Sequence, residues 1–387
     1  MLKLGVFITH PIQYFAPLWR AIAAYPELDV KVHYFSDQGI SSKIDPGFGK
    51  TFAWDVPLLD GYPSVFLSKR PIEQAAFFRI DKPSEFFRRS RFDAVLVHGY
   101  THWYSLQNVM NADRFGFKVV LRGEFAEFRP GRSAWKKAFR GAYLRCLYKK
   151  IHHFCPIGKD AIEHLEQYGV PAERMTLSPY SVDDQLLENQ RKLLNRDECR
   201  KRLSIRDDQI VFLFSGKMIE RKQPLLLAEA ALKFRNDPRS VFIFLGDGDQ
   251  YDALCGALRP VLRERFIAPG FVNQSELGGY FCASDVFVLP SRYDTWGLVV
   301  NEAMHFGLPC IVSDRAGCHK DLILSRKTGY VFPFEDVTAL AAAMKVFLDH
   351  PPEAMRMGRS AYAHIQNYTT AKAAEGIRQA VLKARAK

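Results

Sequence analysis

The chain has 387 residues, 48% hydrophobic and 25% charged, with a formal net charge of +12. It is too long for one ordinary core, so two domains are expected, and no apolar run approaches the roughly 18 residues of a membrane span. Its seven cysteines are odd in number, scattered from Cys146 to Cys318 and form no C-x-x-C pair, which argues against a disulfide framework or zinc ribbon.

In chain order, Leu4–Ile8 is the first apolar run, too short for a signal peptide. It reads as a buried strand of a cytoplasmic protein. Runs at 30–35, 94–97 and 118–121 follow, with helical patterns at 17–25 and 104–115 between them. Continuous apolar runs suit strands covered on both faces, and their alternation with helices predicts βαβ units in a parallel sheet.

The positive charge is localised. Residues 101–150 hold 11 Lys/Arg against 3 Asp/Glu, and residues 351–387 hold 7 against 2. The aromatic platforms of RNA-binding modules are absent, so no nucleic-acid partner is expected. Within the first of these stretches, 129–150 carries eight basic residues and no acids, with Trp135, Phe139, Tyr143 and Leu147 at helical spacing after Pro130 and Gly131. Two readings stand: a helix lying on an anionic bilayer at the inner membrane face, or a helix whose aromatic side joins the core while its charges meet water.

Residues 184–208 are rich in Glu, Gln, Asn, Lys and Arg and read as a linker. The domains expected on either side are 1–183 and 209–365, with a basic, Ala-rich tail at 366–387 that packs back on the first. The β/α alternation restarts after the linker, with apolar runs at 210–214, 240–245, 286–289 and 309–312.

Three loops in the second half occupy positions where open parallel sheets place ligands, beyond the carboxyl ends of strands. In Ser215-Gly-Lys-Met-Ile-Glu-Arg-Lys-Gln-Pro, Gly216 permits close backbone approach and Lys217 and Lys222 can clamp a diphosphate. The alternative is a solvated basic loop. In Leu245-Gly-Asp-Gly-Asp, Asp247 and Asp249 imitate a metal-binding D-x-D, but Gly246 and Gly248 fall where a tight strand exit needs glycine, and no metal is expected. The third loop runs Ser291-Arg-Tyr-Asp-Thr-Trp-Gly-Leu-Val-Val-Asn-Glu302, with Asp294 and Glu302 eight positions apart. A helix starting near Gly297 offers free N–H groups and a positive dipole end to a phosphate or hydroxyl, and Glu302 can accept hydrogen bonds from ribose hydroxyls. Taken singly, either acid is more often a cap or a surface charge.

Together these residues resemble the retaining nucleotide-sugar glycosyltransferases of family 4, which have the GT-B fold. The family's G-R-L-x-x-x-K is matched by Gly216-Lys-Met-Ile-Glu-Arg-Lys222, with lysine for arginine at 217. Its G-x-G is matched by Gly246-Asp-Gly248, and its E-x7-E by Asp294 through Glu302, with Asp for the first Glu. G-x-P is matched at 307–309, and Ser313-Asp-Arg-Ala-Gly-Cys-His-Lys-Asp321 approximates S-D-x-G-G-x-x-E.

The resemblance implies an α/β protein of two Rossmann-like domains whose parallel sheets face across a cleft. Its activity would be retaining, metal-independent transfer of a hexosyl-type sugar, with no cofactor. A UDP- or GDP-sugar donor and a glycan or lipid-linked acceptor in surface-polysaccharide assembly would fit. By the same resemblance Gly216, Lys217, Lys222 and Gly246 hold the donor diphosphate, Phe271 and Val272 flank the base, and Glu302 holds the ribose. Asp294, with backbone around Thr295, Trp296, Gly297 and Leu298, meets the donor sugar.

On the acceptor side, the resemblance points to loops after the first strands, making His10, Gln13 and His98 candidate contacts. Where many relatives place a histidine near the donor sugar, this chain has Glu124, preceded by Arg122. A carboxylate there could stabilise oxocarbenium-like charge or take the acceptor proton. The rival is a structural Arg122–Glu124 pairing, with Arg122 otherwise an acceptor contact. No pair of carboxylates of the glycosidase kind is evident, so no protein nucleophile is assigned. The competing readings are an epimerase on the same fold and a non-catalytic nucleotide-sugar binder. A nicotinamide dehydrogenase would need G-x-G-x-x-G after the first strand, which is absent.

Overall fold

The apolar runs form strands buried on both faces. In the computed structural model, which describes residues 1–40, 43–45, 50–52, 54–125 and 134–386, the chain divides into two units. Unit 1 comprises Met1–Ser42, Pro57–Val182 and Tyr368–Lys387, and unit 2 comprises Lys43–Val56 and Asp183–Asn367.

Unit 1 is built on strands β1 (Leu2–Ile8), β2 (Leu28–Tyr34), β3 (Ser64–Phe66), β4 (Ala94–His98), β5 (Lys118–Gly123) and β6 (His153–Pro156). They lie in the order β3-β2-β1-β4-β5-β6, all parallel. The alanines of the final helix, Thr370–Ala386, let it sit close to this unit. A Cβ on Gly376 would lie 2.1 Å from the Leu177 carbonyl oxygen, and Ala373, Ala374, Ile377, Ala380 and Val381 are all buried. Tyr25 Oη donates to Glu375 at 3.1 Å, and Arg378 pairs with Glu27, fastening the helix to the turn between helix Ala16–Ala23 and β2.

Unit 2 repeats the plan with β7 (Ile210–Ser215), β8 (Ser240–Leu245), β9 (Phe266–Gly270), β10 (Val286–Leu289), β11 (Cys310–Ser313) and β12 (Gly329–Phe332). Their order is β9-β8-β7-β10-β11-β12, again all parallel. Paired phenylalanines cross its central strands, Phe212 stacked on Phe242 at 5.5 Å and Phe214 tilted against Phe244 at 5.8 Å. The four strands without a long apolar run, β3, β6, β9 and β12, are the edges of these two six-stranded sheets. Pro269 within β9 is tolerated there because an edge strand can lose one donor.

The polar stretch 184–208 is part of unit 2 in the structure, as helices Asp184–Leu193 and Arg196–Arg202. Its charges are spent internally. Arg200, 3% exposed, bonds Asp285, Ala283 O, Arg206 O and Gln209 O, and Arg196 bonds Asp285 and two neighbouring carbonyls. A buried guanidinium is tolerable when most of its donors are satisfied in this way, here those of both Nη atoms, with Nε left without a partner.

Candidate functional site

In each sheet the strand order reverses between its first and fourth strands, and the loops leaving those two strands are where open parallel sheets place their ligands. In unit 2 these are the loops after β7 and β10, which carry Gly216–Gln223 and Pro290–Gly297. They are joined directly. Arg292 N–H donates to Arg221 O at 2.9 Å, and Lys222 Nζ forms an ion pair with Asp294 Oδ2. Arg221 lies 3.8 Å from the other carboxylate oxygen. Burial of Asp294 would raise its carboxyl, but the Lys222 ammonium, its hydrogen bond and Arg221 outweigh that and hold it below the ordinary value. Asp294 is therefore an ionised anchor for two cations of the facing loop.

The glycines after β8 have a packing reason. Gly246 adopts φ +130°, and a Cβ there would stand 1.9 Å from Gly216 O. This contact lets Gly216 N–H reach Leu245 O and Gly246 N–H reach Gly270 O, both at 2.9 Å, so three strand exits are laced side by side. Asp247 turns back to accept its neighbour Gly248 N–H at 2.8 Å. Among the described residues, no group of three His, Cys, Asp or Glu has the arrangement of a metal site.

Helix Leu298–His305 starts at Gly297, whose φ is +96°, and no side-chain hydrogen bond caps its first turn. Val300 N–H turns back to Gly297 O at 2.8 Å, and the N–H groups of Leu298 and Val299 are the first-turn donors that favour an anion. A Cβ at Gly297 would meet Leu289 at 2.8 Å, so glycine is required for packing as well as for φ. Glu302, in this helix, is 3% exposed and accepts from Gln274 Nε2 at 3.2 Å. Trp296 is inside, with Nε1 donating to Asn301 Oδ1 at 2.9 Å and its carbonyl accepting Cys318 N–H at 2.9 Å, and a backbone hydrogen bond from Trp296 helps hold the Asp294 carboxylate. Thr295 is exposed and Lys217, Leu298, Phe271 and Val272 are half-buried. Asn273, next to Phe271 and Val272, caps helix Gln274–Ala283.

In unit 1 the loops after β1 and β4 flank the corresponding switch point. Thr9 Oγ1 lies 2.9 Å from His10 Nδ1, and Gln13 is half-buried just before helix Ala16–Ala23. His98, at the end of β4, has Nε2 3.1 Å from Tyr180 Oη, and Tyr180 Oη hydrogen-bonds Glu124 Oε1. Burial, aided by the Arg122 charge, holds His98 well below its usual range and therefore neutral. Arg122, expected as an acceptor contact, is completely buried. Its guanidinium lies 4.9 Å from the Tyr180 ring centroid and donates to Ser178 Oγ at 3.0 Å and to the carbonyls of Ser178 and Pro179. It thus shapes the site through the 178–180 segment and does not reach solvent itself. Tyr180 has no motif around it, and nothing in its local sequence marks it out.

Residues 195–364 match the family described as Glycosyl transferases group 1. Unit 2 is a group 1 glycosyltransferase domain. The chain is 28% identical over 207 residues to the Escherichia coli UDP-Gal:alpha-D-GlcNAc-diphosphoundecaprenol alpha-1,3-galactosyltransferase, covering 52% of this chain and 50% of that protein. The match spans about half the length of the curated relatives. Over 98% of both chains the fold resembles sucrose-phosphate synthase from Thermosynechococcus elongatus, with a TM-score of 0.73 at 18% identity. Anabaena HepE in complex with UDP gives 0.73 at 15% identity, over 98% of this chain and 99% of that one. The fold class expected from sequence, GT-B, is the one observed. In this glycosyltransferase domain the family's spaced glycines and acids occupy the exits of β7, β8 and β10 around one switch point.

Proposed function

We propose that the protein is a retaining, metal-independent glycosyltransferase of the hexosyltransferase type. It moves a sugar from a UDP- or GDP-sugar to a glycan or lipid-linked acceptor in surface-polysaccharide assembly. The observation that carries this reading is the Lys222–Asp294 pair beside the uncapped start of helix Leu298–His305. An ammonium group has three donors, so Lys222 can hold Asp294 with one and a phosphate oxygen with the others. Negative charge gathers on the departing diphosphate as the glycosidic bond breaks, and Lys217, Lys222 and the helix start offer positive charge to meet it. One such preorganised donor contributes on the order of 2–4 kcal/mol in a transition state. Glu302 is proposed to hold the ribose, Asp294 and the Thr295–Leu298 backbone the sugar, and Phe271 and Val272 the base. His10, Gln13, His98 and Glu124 are proposed to serve the acceptor side, Glu124 taking the acceptor proton.

Two relatives support the donor and acceptor classes by their names alone, one acting from UDP-Gal onto a diphosphoundecaprenol-linked sugar and one holding UDP. The test is a thermal-shift series with UDP, GDP and their sugars, followed by acceptor titration in chelator. A ligand at 100 times its Kd stabilises by about 2.7 kcal/mol. One nucleotide series is expected to raise the melting temperature, and nucleoside diphosphate release is expected to depend on acceptor and persist in chelator. No stabilisation by any nucleotide would overturn the site. Release or epimerisation independent of acceptor would favour the epimerase, and binding without turnover the non-catalytic reading.

The same proposal includes attachment to an anionic membrane through 129–150. Residues 129–133 lie outside the described ones, and the helix begins at Ala134. Its core side is Leu144, Leu147 and Tyr148, whereas Trp135, Phe139 and Tyr143 are 68%, 76% and 41% exposed. Aromatic rings left out of the core on a helix with no acidic residue fit an interface of apolar tails and anionic headgroups. Each basic residue near such a surface contributes about 1 kcal/mol. Sedimentation with phosphatidylglycerol vesicles is expected to carry the protein down, less so with added salt, and to fail for Trp135→Ala/Phe139→Ala. Equal, weak sedimentation with phosphatidylcholine and phosphatidylglycerol vesicles would refute the attachment. Among the described residues no helix is long and apolar enough to cross a membrane.

A further inference from the structure

We infer that Tyr180 is a positioning residue for Glu124, holding its carboxylate ionised and in one orientation for the acceptor hydroxyl. The inference rests on the acceptor-side reading of Glu124 given above.

Tyr180 Oη has one hydrogen to give and lies within bonding distance of both Glu124 Oε1 and His98 Nε2. An ionised carboxylate can only accept, so the phenol hydrogen goes to Glu124. His98 must then donate from Nε2, which leaves Nδ1 as the bare nitrogen. That Nδ1 is buried with no hydrogen-bond partner, as befits an unprotonated atom in a neutral ring. The result is a one-way chain, His98 to Tyr180 to Glu124, with every donor pointing at the carboxylate. Burial and the Glu124 charge keep Tyr180 a phenol, well above its ordinary value.

The chain is held from outside by Arg122. Its guanidinium lies 5.7 Å from the Phe15 ring centroid and 4.9 Å from that of Tyr180, and its bonds to Ser178 and Pro179 fix the backbone just before Tyr180. Ser178 Oγ in turn donates to Ala373 O of the final helix at 2.9 Å. Arg122 Nη1 is buried without a partner, and the guanidinium charge acts on both His98 and Tyr180. Among the described residues, the titratable and charged groups that act on His98, Arg122 and Tyr180 are one another, His102 at the start of helix Trp103–Phe115, Cys155 from β6 and Glu124 itself. Of these only Arg122 is a fixed charge, and it favours the carboxylate over the acid.

Tyr180→Phe in the full chain tests this, because it keeps the ring over Arg122 and removes only the hydroxyl. A hydrogen bond to a charged group, once lost, costs about 10- to 100-fold in the step it supports. The expected result is a fall of that size in kcat with an unchanged donor-induced thermal shift. The acidic limb of the kcat profile is expected to move to higher pH, because a donor that favoured the ionised form is gone. Rates are normalised to the donor-binding fraction, so that partial unfolding does not imitate the effect. Tyr180→Phe/Glu124→Gln is expected to be no slower than Glu124→Gln alone. A wild-type kcat and pH profile for Tyr180→Phe beside an inactive Glu124→Gln would overturn the role of Tyr180. Wild-type turnover by Glu124→Gln would instead remove the reading of Glu124 on which it rests.

Discussion

Replacing Lys222 with alanine is expected to cut turnover by about 30- to 1,000-fold, the rate equivalent of the 2–4 kcal/mol that one preorganised donor contributes. Stability is expected to fall as well, because the side chain is partnered by a buried carboxylate. Removing one member of such a pair leaves the other charge under-compensated, with Arg221 at 3.8 Å as the remaining cation. The pH dependence separates this from a general packing defect. In the wild type, Asp294 titrates below its ordinary value. Its contribution is therefore present above the unfolded value and is lost as the pH falls through the folded one. In Lys222→Ala the balance tips toward burial, the folded carboxyl rises, and the penalty at neutral pH is relieved on acidification. Melting temperatures of the two proteins, measured from neutral pH to about pH 4, near the ordinary aspartate value, are expected to converge. A constant gap, or wild-type turnover in the variant, would contradict the assignment of this pair.

Gly246→Ala is the backbone counterpart. The new Cβ would stand 1.9 Å from Gly216 O and 2.9 Å from Gly216 C, at a residue with φ +130°. Neither atom is the end of a flexible side chain, so the exits of β7 and β8 must separate. The conformational term alone is about 1–2 kcal/mol, and the lost hydrogen bonds between the exits add about 1 kcal/mol each. A loss of about 3 kcal/mol corresponds to a drop of roughly 6–12 °C for a domain of this size. The donor-induced thermal shift is expected to vanish with it, because Lys217 and Lys222 ride on the displaced loop. Gly256→Ala, in helix Tyr251–Leu262 where an added Cβ meets nothing within 4 Å, is the control and is expected to be neutral or slightly stabilising. Equal melting temperatures for the two variants would show that the packing of these strand exits is not what requires glycine.

How much of this was legible in the chain follows from which interactions are local. The eight central strands announced themselves as apolar runs because burial on both faces demands it. The four edge strands, such as His153–Pro156 and Ser64–Phe66, carry no long apolar run to announce them. The glycines at 216, 246 and 297 were readable as turns, yet the reason for Gly246, a carbonyl 30 positions earlier, was not. The polar stretch 184–208 looked like a linker because composition does not reveal that Arg200 will find Asp285 and three carbonyls. Similarly, the aromatic spacing of 135–147 announced a helix but left open which of its faces would be buried.

What the amino-acid order alone determined is the two-unit α/β plan and the residue types at each strand exit. Periodicity, turn chemistry and motif spacing are properties of neighbours in the chain. Which of those residues meet was decided only by the tertiary structure. Lys222 and Asp294 are 72 positions apart and Tyr180 and Glu124 are 56 apart. A parallel sheet brings such loops together by strand order, and strand order is written in no local stretch of sequence.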